Sequence, residues 1–539
     1  MATGKIIEMG NETQNNVIAG VKKAADAIKV TLGPAGKCVA ISNEFGSPEI
    51  TRDGATVAKT IQFKDQEMNI GAQLVKKAAS LTEEACGDGT SSSSLLTKEL
   101  CLRGQKFLIS GCNVNEIKSG MLKATDWVKS YIKKNSIEIG DDLEKIRRVA
   151  TISANNDPQV GDLVVECMSK VGVDGVITAD MASGLDTVID VTTGMKLSRG
   201  WSSPQYITSP EDGKCIMENP YIVVVGEKLS SVSQILPLIE QIVKTGRPFL
   251  IICDEVDEVV NTTLIVNTLQ GAIRCCVVKG IDFGDARENI MQDIAVATGG
   301  TFICQKNNIA INEATLENLG AAKKVVISRD DTIIYEGLGN PEAISKRVEV
   351  LKARLNDPTT THYDKTKFSE RIANLSGGIG IIKAGGATEA EKVNRKATIE
   401  DAILASKSAL SEGCAPGGGY VYLMASKEVE KDKAFWKSLE GDEVEGAKIV
   451  FSSLPVITKT VAENSGMSGD VVLNTILGNT RKTAYGYNAK AKNYCNLLEA
   501  GILDSSKVLR VALENAVSTA SMVLLIDCTI SDEPEEKKE

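Results

Sequence analysis

Gly87-Asp88-Gly89-Thr90-Ser91-Ser92-Ser93-Ser94 sets two glycines around one carboxylate, then five hydroxyl side chains, and the apolar pair Leu95-Leu96 follows directly. That order predicts a tight turn feeding the first turn of a helix. Backbone N–H groups at a helix start have no acceptor within the helix, and the helix dipole favours an anion there. The hydroxyls add donors, and a carboxylate beside them can hold a divalent cation against phosphate oxygens. Serine and threonine are also favoured at ordinary helix starts. The stretch thus carries two readings, a nucleotide-phosphate site and a plain capped helix.

Working outward, residues from about 10 to 134 are mainly helical in pattern. Val17, Val21, Ala24, Ala25 and Ile28 recur at helical spacing, as do Ile117, Met121, Ala124, Val128 and Ile132. From about residue 193 to 375 the character changes. Short β-branched runs (Tyr221 to Val225, Phe249 to Ile252, Ile273 to Val278) alternate with helical patterns, the signature of βαβ units. Long helical patterns return from about residue 379, and the acidic tail from Ser531 to Glu539 is expected to be disordered. Helical ends around an α/β middle predict an α/β multidomain chain, with one domain inserted into another and both termini in the same domain.

Composition narrows the function. The chain has 539 residues, enough for about three domains. Its net charge of -10 argues against a nucleic-acid partner, which calls for a basic face. No apolar run approaches a membrane span and no secretory leader is recognisable, so no membrane is expected and the cytoplasm is the expected location. Thirteen scattered cysteines without a CxxC pair read as reduced thiols, and Cys275-Cys276 read as part of a buried strand. The single histidine, His362, reads as part of a polar loop after Asp357-Pro358, and one histidine alone rules out a histidine-rich metal centre. Any hydrolysis therefore rests on carboxylates, metal and backbone.

Other clusters are ambiguous one by one. Thr31-Leu32-Gly33-Pro34-Ala35-Gly36-Lys37 is too short for a Walker loop and also reads as a helix stop before a strand. Gly413 to Gly419 would let a backbone approach a flat ligand closely, and Gly377-Gly378 and Gly194 stand where hinges are expected. Asp53 sits at a turn, Asp401 inside an alanine-rich apolar helix pattern, and Asp504 after Gly501-Ile502-Leu503. A lone acid of this kind is usually solvated or capping.

Thr31 to Gly36, Thr51 to Gly54, Gly87 to Ser94, Ala150 to Asn155, Ala384 to Glu389, Gly413 to Gly419, Tyr485 to Ala489 and Gly501 to Asp504 occur in the order and near the spacing of the group I chaperonins. The chain resembles that GroEL family over essentially its whole length apart from the tail. The resemblance implies a mainly helical equatorial ATPase domain (1–134 and 412–539), a small intermediate hinge domain (135–192 and 379–411) and an inserted α/β apical domain for substrate binding (193–378). It implies one site for ATP with Mg²⁺, and K⁺ as a further candidate ion. Asp88 would hold the metal, with Gly89, Thr90, Ser91 and Ser92 at the phosphates. Thr31, Leu32, Gly33 and Pro34 would line phosphate and base, Gly418 the ribose, and Asn488, Ala489, Ile502 and Asp504 the adenosine. Asp401 would orient the attacking water, helped by Asp53. Phosphoryl transfer needs mainly positioning and charge neutralisation, so the missing histidines are no obstacle.

The implied function is an ATP-dependent chaperonin, a homo-oligomeric ring that binds non-native polypeptides and promotes their folding, with a co-chaperonin as a candidate partner. The alternative is a passive holdase without a productive ATP cycle. A small-molecule phosphotransferase lacks a recognisable acceptor site. Two apolar stripes in the middle domain, Val232, Ile235, Leu236, Ile239, Ile242, Val243 and Val256, Val259, Val260, Leu264, Ile265, would ordinarily face a core. The resemblance places Trp201, Leu236, Ile239, Ile265 and Val266 in an exposed groove for non-native chains. Ser202, Gln205 and Asn261 stand where that family usually has apolar residues, and Ser411 where it has an acid. Arg199 and Glu389 match an intersubunit ion pair, and Lys459 and Ser468 replace an Arg–Glu contact between stacked rings, which predicts a weakened double ring. Such drift suits a divergent or virus-encoded member.

Overall fold

A computed structural model describes residues 5–42, 48–140, 142–154, 156–172, 175–210, 213–280, 284–307, 309–355, 367–368, 371–372, 374–375, 378–479 and 484–532. The His362 loop, Asn155, Gly377 and the tail beyond residue 532 lie outside the described residues. The chain packs into two compact units. One comprises Met1–Val165, Met181–Asp186 and Ala384–Glu539, the other Glu166–Asp180 and Thr187–Lys383.

The first unit is helical. Its core is built by the stripes read from sequence: Val17, Val21, Ala25 and Ile28 on the Asn11–Ile28 helix, and Ile117, Met121, Ala124 and Val128 on the Val114–Asn135 helix, are all at most 1% exposed. Tight crossings depend on small residues. A Cβ on Gly20 would run into the backbone of Met68, and one on Gly71 into the backbone of Val17, so the Asn11–Ile28 and Gln66–Cys86 helices touch main chain to main chain. The chain ends meet in this unit: Lys5–Met9 pairs antiparallel with Cys528–Asp532, Lys5 opposite Asp532.

The second unit is built on a nine-stranded mixed sheet. Tyr221–Leu229, Phe249–Val256 and Cys275–Lys279 run parallel at one end, joined by the Val232–Thr245 and Glu258–Leu269 helices as βαβ units. The central strand of the three is buried on both faces, as its run Phe249-Leu250-Ile251-Ile252-Cys253 predicts. Ser231 caps the first helix in a reciprocal capping box with Gln234, and Gly246 at φ 70° ends it. Val256, assigned above to the second helical stripe, ends the strand instead, because Asp257 takes an extended cap conformation before the helix begins at Glu258. Long helices also return later than residue 379: Gly378–Ala384 is a strand, and the next helix is Glu389–Glu412. All described cysteines are free thiols, and Cys275 and Cys276 are buried in their strand.

Candidate functional site

Gly87 closes the Gln66–Cys86 helix at φ 70°, and Gly89 opens the Thr90–Ile109 helix at φ 87°. Both values lie in the left-handed region, which a residue without Cβ adopts at little steric expense. Between them Asp88 lies open to the cavity, and its Oδ1 accepts the Gly89 N–H at 2.5 Å. The five hydroxyls that follow divide in two. Ser93 and Ser94 turn back and donate to the Thr90 carbonyl at 3.0 and 2.8 Å, fully buried. Thr90, Ser91 and Ser92 line a cavity of about 490 Å³ within the helical unit, the volume of a small-molecule site.

The Thr31 loop meets this helix start, with Thr31 Oγ1 3.2 Å from Ser91 Oγ. The loop is the helix stop before a strand that its sequence suggested, and it also lines the cavity. Two side chains hold its carbonyls. The Arg52 guanidinium donates to Gly33 and Pro34 at 2.9 and 2.8 Å, and the Asn464 amide donates to Lys29 and Leu32, both at 2.9 Å. Next to Arg52, the Asp53 carboxylate caps the Gly54–Thr60 helix, accepting the N–H groups of Ala55 and Thr56 at 3.0 and 2.7 Å.

A two-stranded ribbon supplies another wall. Cys414–Pro416 pairs antiparallel with Leu503–Ser505, Ala415 opposite Asp504. Gly418 and Gly419, at φ 66° and 74°, then swing the chain into the Tyr420–Glu428 helix, and their N–H groups point at the Asp504 carboxylate. On the Tyr485–Asn488 strand and the turn after it, Asn488 Oδ1 accepts the N–H groups of Lys490 and Ala491, and the Tyr487 hydroxyl lies 3.0 Å from Ser465 Oγ. Ile457, Val461 and Ile502 add apolar lining suited to a flat ring.

Every nucleotide-site residue named from sequence borders this one cavity: Thr31 to Pro34, Asp53, Asp88 to Ser92, Asp401, Gly418, Asn488, Ala489, Ile502 and Asp504. Asp401 projects from the Glu389–Glu412 helix, and Ala402, Ile403 and Ala405 beside it are buried. Burial holds the Asp401 carboxyl well above the usual carboxylate range, and the fields of Asp53 and Asp88 push it further. Loss of surrounding water to the cavity walls likewise raises Asp88, and burial raises Asp504 to about 7, with Asp88 contributing. Acids that oppose one another's ionisation in one cavity form a site short of positive charge. Among the described residues no group of three or more His, Cys, Asp or Glu can hold a metal by itself. A small hard cation held by one carboxylate, hydroxyls and the ligand's own phosphate oxygens fits this donor set, and Asp88 is the acid placed for it.

A pH effect follows. With its folded value near 7, Asp504 keeps a proton in the folded state that the unfolded chain releases from about pH 4 upward. Stability of the nucleotide-free protein is therefore lost as pH rises through that window. Asp504→Asn is expected to stabilise that protein at pH 7.5 by on the order of 1–3 kcal/mol and to change little at pH 4.5. Thermal unfolding at the two pH values checks it, and an equal effect at both contradicts a buried protonated acid.

Sequence reasoning missed Arg52, Asn464, Tyr487 and Lys490. Arg52 stood inside a quoted motif, but only its neighbouring acid drew notice, because its targets are backbone carbonyls that no residue pattern marks.

In the sheet unit the expected groove is narrower than its stripes. Leu236 and Val266 are each 44% exposed and Trp201 is half-buried, whereas Ile239 and Ile265 are 8% and 6% exposed and belong to the core. Ile239 and Ile265 are thus corrected from groove surface to core, because they share the faces of Ile235 and Ile242, and of Leu264, that cover the sheet. The polar departures partly satisfy one another: Asn261 Oδ1 accepts from Ser202 Oγ at 3.0 Å and from the Tyr206 hydroxyl at 2.9 Å.

Residues 24–534 match the TCP-1/cpn60 chaperonin family. The chain belongs to that family. The chaperonin gp146 from the bacteriophage EL 2 (Pseudomonas aeruginosa), crystallised in the presence of ATP-BeFx, is similar in fold in two crystal forms. One has a TM-score of 0.74 at 21% identity, covering 98% of this chain and 100% of that one. The other has a TM-score of 0.65 at 20% identity, covering 98% and 99%. The family matched is the one to which the eight ordered motifs pointed, and no described helix of this chaperonin is long and apolar enough to cross a membrane.

Proposed function

We propose that this chaperonin binds ATP with Mg²⁺ in the cavity of the helical unit, hydrolyses it, and uses the cycle to fold non-native polypeptides inside a homo-oligomeric ring. The observation that carries the reading is convergence. Four glycine-bearing segments and the acids Asp53, Asp88, Asp401 and Asp504, spread across more than 450 residues, border one cavity. The N–H groups of Thr90, Ser91 and Ser92 take the phosphates, and the Thr31 loop, braced by Arg52 and Asn464, closes over them. When bound at Asp88, Mg²⁺ supplies the positive charge that phosphoryl transfer requires. Asp401 accepts the proton side of the attacking water, Asp53 supports it, and Asp504 takes a ribose hydroxyl. That the similar phage chaperonin was crystallised with ATP-BeFx supports nucleotide at this fold. The three-domain division, K⁺, a co-chaperonin and a cytoplasmic location belong to the same proposal, as does the Arg199–Glu389 contact between subunits. Lys459 pairs with Asp470 at 2.7 Å within the subunit, which supports a weakened contact between stacked rings. Phosphate release from ATP by the purified protein, dependent on Mg²⁺, tests the reading, and no release with or without the metal contradicts it.

Capture of clients is assigned to the exposed edge of the sheet unit. Leu236→Ser or Val266→Ser is expected to reduce suppression of client aggregation several-fold while ATP hydrolysis survives. Light scattering of a denatured client, read beside phosphate release, checks this. Because both side chains are exposed, the variants should stay folded.

A further inference from the structure

Two cationic side chains outside the glycine loops tie together segments that both border the cavity. Lys490 is solvent-exposed and lines the cavity directly after Asn488 and Ala489, so it marks the cavity's edge. Its Nζ donates to the Asn156 carbonyl at 3.3 Å. Asn156 also borders the cavity, just past the Leu143–Ser153 helix, and holds a left-handed φ of 63°. Asparagine takes that region more readily than most residues other than glycine, and here it turns the chain back along the cavity edge. Arg148, on that same helix, donates through Nη1 to the Leu498 carbonyl at 3.3 Å and through Nε to Glu144 at 3.2 Å. Its stem packs on Gly501, where an added Cβ would stand 3.0 Å from Arg148 Cδ, one residue before the lining Ile502.

Both links run from the 143–156 segment to the 488–501 segment, and both segments contribute to the cavity wall. They act in parallel, so any motion that parts the two segments breaks both. We propose that Arg148 and Lys490 form a two-point clasp across the edge of the nucleotide cavity and act as positioning residues that set how long nucleotide stays bound. The proposal rests on the nucleotide reading above. Neither side chain is assigned to the phosphates or the water, so the clasp governs exit rather than chemistry. Charged contacts near the surface are individually weak and screened by salt, but when one opening must break two of them their energies add and their effects on the rate multiply.

Release of a fluorescent ADP analogue from the full assembled protein with Mg²⁺, followed by stopped flow, tests this. Arg148→Met and Lys490→Met are each expected to release it about threefold faster and the double variant about tenfold faster, while Lys490→Arg stays near the unsubstituted rate. Single-turnover hydrolysis of prebound ATP should stay within about twofold throughout, a split that a general loosening of the fold does not produce. Unchanged release from the double variant overturns the clasp, and so does hydrolysis that falls in step with the gain in release. If the double variant does not assemble, Lys490→Met against Lys490→Arg decides the question, since Lys490 is exposed. An unsubstituted protein that binds no nucleotide overturns the nucleotide reading instead.

Discussion

Asp401→Ala is expected to bind ATP with Mg²⁺ nearly as tightly as the unsubstituted protein and to hydrolyse it roughly 10²–10⁴-fold more slowly. The reasoning is positional. Asp401 enters the cavity from the Glu389–Glu412 helix, a different element from the Thr90 helix start proposed to take the phosphates, and the proposed reading has it act on the attacking water rather than on the bound ligand. Its removal also relieves a buried acid whose ionisation Asp53 and Asp88 oppose, so ground-state binding loses little. Asp88→Ala should show the opposite pattern, with binding weakened about 10²-fold, the scale of losing one partner of a buried charged contact. Calorimetric titration with a non-hydrolysable ATP analogue, read beside phosphate release, separates the two. Hydrolysis at the ordinary rate in Asp401→Ala contradicts the assignment.

Gly87→Ala is the second large effect, and it acts through packing. Gly87 adopts φ 70°, and an added Cβ would overlap the side chain of Leu404, three residues along the same helix from Asp401. Ser408 on that helix also donates to the Cys86 carbonyl at 3.2 Å, fully buried. The left-handed conformation and the overlap together are expected to destabilise the helical unit by about 2–4 kcal/mol. Relief of the overlap moves Asp401 relative to Asp88, so hydrolysis should fall further than nucleotide affinity. Urea unfolding with parallel kinetics checks this, and unsubstituted stability and rate contradict it.

Much of the fold was legible because it rests on periodicity. The Val17–Ile28 and Ile117–Ile132 stripes are core, and the β-branched runs that begin at Tyr221, Phe249 and Ile273 form parallel strands, the third from Cys275 onward. The site residues were legible only through the family resemblance, since a lone Asp401 or Asp504 carries no pattern of its own. What stayed hidden depends on direction in space. Periodicity marks Leu236 and Ile239 alike, and only packing on the sheet sends one to solvent and the other to the core. Five consecutive hydroxyls look equivalent, yet the helix turns Ser93 and Ser94 back on the Thr90 carbonyl. The closeness of Gly87 to Leu404 spans more than 300 residues of chain, beyond any local rule.

The most direct test of the account is recovery of an unfolded client enzyme's activity by the assembled protein, with ATP, without nucleotide, and with Asp401→Ala plus ATP. Recovery only for the unsubstituted protein with ATP is the predicted result. Equal protection in all three arms, with no gain in recovered activity from ATP, would mean a passive holdase and would contradict the account.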